Sequence, residues 1–174
     1  MDKQILRNKY KQIRKNIKDK EKLDNIIFNK IVSLKEYKKS NLILTYVSLK
    51  EEVDTIELIK HSLNRGKQVA VPKCEGNDIV FYYINNLYDL EEGKFGILEP
   101  KTNEVVNKFD NSICIIPGIV FDKENNRIGY GKGFYDRFLE NYNGIKIGLT
   151  YTECMCDKID EDKNDIKMDI TIKD

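Results

Sequence analysis

LILTYVSLKEEVDTIELIKHSLNRGKQVAVP, residues 42–72, changes its hydrophobic period from strand to helix and back to strand. It opens on LILTYV (42–47), a continuous apolar and β-branched run of the kind that lies buried on both faces of a sheet. The polar SLKEEVDT that follows supplies Asp54 or Thr55 as the cap of a helix. Ile56, Ile59 and Leu63 recur there at spacings of three and four, with Leu58 at the edge of the stripe. Gly66 closes the helix, and QVAVP (68–72) reads as a second buried strand stopped by Pro72. Strand, helix and strand within about thirty residues form a βαβ unit. The unit predicts an α/β fold with a mainly parallel sheet flanked by helices.

Outward from this unit, IVFYYI (79–84), ICIIP (113–117), GIKIGLTY (144–151) and MDITI (168–172) read as further strands. YDLEEGKFGILEP (88–100) is punctuated by Gly93, Gly96 and Pro100 and reads as a structured connection. Upstream, Leu6, Tyr10, Ile13 and Ile17 predict an amphipathic helix over 3–18 with Asp2 as its N-cap. Lys3, Arg7, Lys11, Arg14 and Lys18 fall in a sector roughly 80° wide beside that stripe, so cations are expected to point outward there. Leu23, Ile26, Ile27, Ile31 and Leu34 predict a second helix after Asp19. With no internal repeat and no linker composition, residues 1–174 are expected to form a single domain.

A chain of 174 residues with 40% hydrophobic content buries roughly 70% of the surface its unfolded form exposes, enough for a core without disulfides. That balance excludes disordered, collagenous and coiled-coil classes. No apolar run approaches the ~20 residues that cross a bilayer, and MDKQILRNKY carries charge where a signal peptide is apolar, so a cytoplasmic location without membrane contact is expected. The net charge of +1 hides an asymmetry: residues 1–18 hold seven basic side chains and one acid, whereas residues 153–174 hold eight acids and four lysines. A basic start and an acidic finish fit an anionic ligand held partly by cations and partly through a metal. Cys74, Cys114, Cys154 and Cys156 lack zinc-ligand spacing, and His61 is the only histidine, so neither a thiolate or imidazole metal site nor a histidine triad is expected.

The densest chemical signal is PGIVFDKENNRIGYGKGFYDRF (117–138). A strand ends near Pro117, a turn follows at 122–126, and Gly129, Gly131 and Gly133 alternate before a helix beginning near Phe134. Alternating glycines let backbone approach a ligand and aim successive N–H groups at one point, with Arg127, Lys132 and Arg137 interleaved as cations. This is a phosphate cradle in physical terms, yet neither a Walker A loop nor a dinucleotide fingerprint. The bland alternative is a tight turn that binds nothing. Asp136 serves equally as a favourable charge at a helix start or as a magnesium partner beside a polyphosphate.

The same segment is similar to the signature of the 5-formyltetrahydrofolate cyclo-ligase family, also called 5,10-methenyltetrahydrofolate synthetases. Further matches follow in order: KQILR (3–7), YVSLKEEVDT (46–55), VPK (71–73), FGILEP (95–100) and NDIKMD (164–169). One departure is Asn164, where the family often has histidine. The resemblance implies one α/β domain like the phosphosugar isomerase and CoA-transferase-like folds. It also implies ATP- and Mg²⁺-dependent cyclisation of 5-formyltetrahydrofolate to 5,10-methenyltetrahydrofolate, with ADP and phosphate released. Carried over, Lys3, Arg7, Arg127 and the run Gly129, Tyr130, Gly131, Lys132, Gly133, Phe134, Tyr135, Asp136 and Arg137 are implied to contact ATP. Val47, Glu52, Lys73 and Tyr135 are implied to line the folate pocket, and Asp136 and Asp169 to hold Mg²⁺. Lys132, Tyr135 and Asp136 are implied to carry the chemistry, in a monomer that takes small molecules and no nucleic acid. Two other readings stay open: a phosphosugar isomerase working without ATP, and an RNA-binding module using the basic helix. The second would bind with a steep salt dependence.

Overall fold

The computed structural model describes residues 1–174. Three helices, α1 (Lys3–Lys15), α2 (Lys20–Ser33) and the short α3 (Lys35–Lys39), precede β1 (Leu42–Thr45). Then come α4 (Ile56–Asn64), β2 (Gln68–Glu75), β3 (Asp78–Ile84), the small pair β4 (Leu90–Glu92) and β5 (Leu98–Pro100), and β6 (Ser112–Ile116). β7 (Val120–Asp122), β8 (Arg127–Ile128), α5 (Phe134–Glu140), β9 (Ile145–Leu149), β10 (Met155–Cys156) and β11 (Ile170–Ile172) complete the chain. The central sheet has the order β11-β9-β6-β1-β2-β3. Its first five strands run parallel, and β3 returns antiparallel to β2.

Continuous apolar strands are explained by two cores. Ile43, Ile113, Ile115 and Ile147 join Leu6 and Tyr10 of α1, Ile27 and Ile31 of α2, and Leu58 and Ile59 of α4. Leu42, Leu44, Cys114 and Ile116, one residue out of phase, pack on the other face with Phe81, Leu139 and Tyr142. Each such Leu or Ile contributes roughly 1.5–3 kcal/mol by leaving water. Asp2 caps α1 as expected, accepting from the Gln4 N–H at 2.6 Å.

Three expectations need correction. Pro72 does not stop β2; the strand continues to Glu75 because its pairing with β1 ends at Ala70, so a missing N–H on that side costs no ladder bond. A two-residue turn, Gly76-Asn77 with Gly76 at φ 64°, reverses the chain into β3, which explains the antiparallel edge. Arg14 does not point outward: it is buried, its guanidinium donating to the Gly118 carbonyl at 3.2 Å. α1 ends at Lys15, short of Lys18.

Candidate active site

The C-terminal ends of β1 and β6, where the chain leaves the sheet at Tyr46-Val47 and Pro117, border a cavity of about 660 Å³. Open α/β sheets place ligands at this edge. The glycine loop, Gly129 to Gly133, forms one wall and the Val47–Glu52 loop another. Lys3 and Arg7 of α1, the β4–β5 connection through Phe95, and Asp162 with Asp165 enclose the rest.

The loop is held from below by the β7–β8 turn. Asp122, almost wholly buried, accepts from the backbone N–H of Glu124, Asn126 and Ile159 and from the Asn126 side chain, all between 2.8 and 3.0 Å. Burial pushes its carboxyl up, but these hydrogen bonds outweigh that and leave it below the ordinary carboxylate range. Gly131 and Gly133 have φ of 99° and 71°, which side-chain-bearing residues resist. The N–H groups of Tyr130, Gly131, Lys132 and Gly133 donate to no acceptor within the protein. Four successive open donors are the physical content of an anion cradle. α5 is only seven residues long, so these N–H groups and the neighbouring cations supply the field, more than a helix dipole does.

Arg7 reinforces the loop, its Nε donating to the Gly129 carbonyl at 2.9 Å and its guanidinium lying 3.4 Å from where a Gly131 side chain would begin. Lys132 lies over the Phe95 ring, 3.7 Å from its centroid. Arg127 also lines the cavity; its side chain is only 5% exposed, pairing with Asp136 at 3.1 Å and donating to the Pro117 carbonyl. Tyr135, whose hydroxyl burial pushes well above its usual range, also lines the cavity, as do Val47, Glu52 and Phe134.

Glu52 is 5% exposed. Its Oε1 accepts from the Leu49 N–H at 2.7 Å and its Oε2 from the Tyr130 hydroxyl at 3.1 Å. Burial raises its carboxyl above the ordinary range, opposed by the Leu49 N–H and the Arg14 charge. Tyr130 in turn accepts from Arg14 Nη2 at 2.9 Å, and burial with the Glu52 charge beside it pushes its hydroxyl up to about 12.

Three of the sequence-derived site residues lie elsewhere. Lys73 alternates with Pro72 and Cys74, which face the cavity, and so occupies the opposite face of β2. Arg137 turns away to the Asn77 carbonyl, with Asp78 at 3.8 Å. Asp169 sits at the opposite, N-terminal edge of the sheet, accepting from the Lys146 N–H at 2.8 Å. The acidic C-terminal stretch also meets the basic start directly: Lys3 pairs with Asp162 at 2.6 Å and Asp165 at 2.5 Å, and the Met1 amine with Asp160. Asp165 is therefore a cavity carboxylate that spacing alone did not single out. The adjacent Ile166 N–H donates to Asp136 Oδ1 at 3.3 Å, which ties the two acids to one region. His61 packs against Phe28 and Tyr37, remote in contact from the cavity, and all four cysteines are free thiols.

Residues 1–174 match the family model of the 5-formyltetrahydrofolate cyclo-ligase family. The probable 5-formyltetrahydrofolate cyclo-ligase of Schizosaccharomyces pombe is 30% identical over 165 residues, covering 84% of this chain and 81% of that protein. The 5-formyltetrahydrofolate cyclo-ligase of Haemophilus influenzae is 30% identical over 158 residues, covering 85% and 84%. Among solved structures, the 5,10-methenyltetrahydrofolate synthetase of Aquifex aeolicus aligns with a TM-score of 0.88 at 36% identity, covering 99% of this chain and 90% of that one. The 5,10-methenyltetrahydrofolate synthetase of Mycoplasma pneumoniae aligns with a TM-score of 0.80 at 27% identity, covering 99% and 98%.

Proposed function

Since this chain belongs to the 5-formyltetrahydrofolate cyclo-ligase family, whose members convert 5-formyltetrahydrofolate to 5,10-methenyltetrahydrofolate using ATP, we propose how its own residues divide that work. The observation that carries the proposal is the run of four open N–H donors from Tyr130 to Gly133 beside Arg7 and Lys132. These groups take the phosphates of ATP, and the pocket bounded by Val47, Glu52, Phe95 and Tyr135 takes the folate.

The chemistry accounts for the residue types. A formamide oxygen leaves poorly and N10 of the folate is a weak nucleophile. The γ-phosphoryl group of ATP therefore passes to the formyl oxygen, releasing ADP. N10 then attacks the activated carbon and loses its proton, and the C–O bond breaks to release phosphate. Phosphoryl transfer of this kind needs positioning and charge neutralisation more than a protein nucleophile. Lys132 supplies a mobile cation to the transferring group, and Tyr135 stands where nucleotide and folate meet.

A magnesium ion, when bound, would neutralise phosphate charge; it usually takes one or two carboxylates and fills its shell with phosphate oxygens and water. Asp136 fits that demand, because both of its hydrogen bonds fall on Oδ1 and leave Oδ2 free. Asp165 fits as the second carboxylate in place of Asp169, because it lines the same cavity and its neighbour Ile166 is bonded to Asp136. Four unpaired thiols suit a reducing compartment, which supports a cytoplasmic protein, and we take it to act as a monomer on small molecules.

Incubation with 5-formyltetrahydrofolate, ATP and Mg²⁺ tests the assignment. Wild type should consume ATP as the methenyl chromophore grows, and Gly131→Val, strained at its φ of 99°, should still fold with its melting temperature lowered by only some degrees yet show no turnover. A folded wild type that yields neither ATP consumption nor chromophore would instead favour an isomerase-type activity in the same cavity.

A further inference from the structure

Tyr130 joins the glycine loop to the loop that follows β1. Its backbone N–H belongs to the phosphate cradle, yet its hydroxyl ends on Glu52, in the loop that follows β1. Behind it, Arg14 donates through Nη1 to Gly118 and through Nη2 to the Tyr130 hydroxyl, so the hydroxyl accepts from the guanidinium and donates to the carboxylate. Arg14 and Lys11 also lie near the Tyr130 ring, each 5.7 Å from its centroid. The Glu52 carboxylate is fixed at its other oxygen by Leu49. Arg14 and Glu52, the two ends of this chain, are buried, while Tyr130 between them is 41% exposed. Charge-assisted hydrogen bonds anchored at buried ends polarise along the chain and resist independent movement of its members.

We infer that Tyr130 and Arg14 are positioning residues that couple the two ligand subsites: they fasten Glu52 to the glycine loop, so that occupancy of either subsite sets the other. The inference rests on the placement of ATP and folate proposed above. A nucleotide that orders the loop through its N–H groups fixes Tyr130, and Tyr130 then holds Glu52 in one arrangement for the folate. By linkage, bound folate must favour the nucleotide to the same degree.

Titration calorimetry on the full chain reads this directly. 5-Formyltetrahydrofolate is titrated alone and with a saturating non-hydrolysable ATP analogue plus Mg²⁺, and the ratio of the two dissociation constants is the coupling. Wild type should give a ratio of about fivefold or more, the lower end of ordinary coupling energies. Tyr130→Phe, which removes only the hydroxyl, should bring the ratio to near unity whatever either single affinity does. Arg14→Lys keeps the charge but loses the fork and should fall between; it carries the test if Tyr130→Phe fails to fold. A purely structural role would lower both affinities and the melting temperature together and leave the ratio unchanged, and that result in either variant overturns the inference. So does a wild-type ratio of one with both ligands binding, which leaves the ligand assignment standing. Failure of both ligands to bind folded wild type overturns the assignment itself, and the coupling with it.

Discussion

Asp136 accepts from Arg127 and from the Ile166 amide on a single oxygen, and the consequences of changing it separate structure from chemistry. Asp136→Asn keeps an acceptor for both donors but leaves the Arg127 guanidinium, whose side chain is only 5% exposed, without its counter-charge. Replacing a charge-assisted bond by a neutral one there should cost on the order of 1–2 kcal/mol of stability. The kinetic loss should be far larger, on the order of 10² in kcat, since neutralisation of the transferring phosphoryl group is weakened. The mutant should also need much higher Mg²⁺ to approach its maximum. Titration of Mg²⁺ at saturating ATP checks this: superimposable curves for the two proteins would remove Asp136 from the ion and leave it as the partner of Arg127. The sequence made Asp136 visible through its place just after the glycines, but it could not show that Arg127 is already paired with it. The turn at Asp122 was local and legible, through its bonds to Glu124 and Asn126, but the burial of its carboxylate and its tie to Ile159, 37 residues away, were not.

At the scale of elements, α1 does two separable jobs on adjacent faces. Leu6 and Tyr10 enter the larger core, whereas Arg7 reaches the glycine loop. Arg7→Ala should raise the KM for ATP, by an amount corresponding to the ~1.5–3 kcal/mol of a charged hydrogen bond, with the melting temperature close to wild type. Leu6→Asp should do the reverse, lowering the melting temperature steeply and reducing activity only in step with the folded fraction. Melting curves and ATP-dependent rates on the same samples check the pair. The helix, its cap and its apolar stripe were legible because they are local. Arg14 was not: it lies on the same sector as Lys3 and Arg7, and only the approach of Gly118 and Tyr130 turns it inward. β1, α4 and β2 were legible for the same local reason, through a period change from strand to helix and back. β3 carried a readable signal in Gly76-Asn77, a two-residue hairpin turn, that fixes its antiparallel sense. The two- and three-residue strands β7, β8 and β10 are too short for any period to mark them.

For the molecule as a whole, the sheet brings distant segments to one edge. The charge asymmetry between the two ends of the sequence closes on itself there, with Lys3 between Asp162 and Asp165, residues about 160 positions later in the chain. The cavity therefore holds cations and carboxylates side by side, which suits a phosphate ligand accompanied by a divalent cation better than a bare anion. Composition showed that both charges exist but could not show that they face one another. Parallel pairing puts Val47 and Glu52, Pro117 and the glycine loop at the same C-terminal edge, and moves Asp169 to the other. Whether the open N–H groups of Tyr130 to Gly133 receive the phosphates of ATP is read most directly by an amide-resolved NMR titration of the ¹⁵N-labelled chain with a non-hydrolysable ATP analogue and Mg²⁺. The Tyr130, Gly131, Lys132 and Gly133 amides should show the largest downfield shifts and saturate together. Saturable binding that leaves those four amides unmoved while others shift would show that the phosphates sit elsewhere.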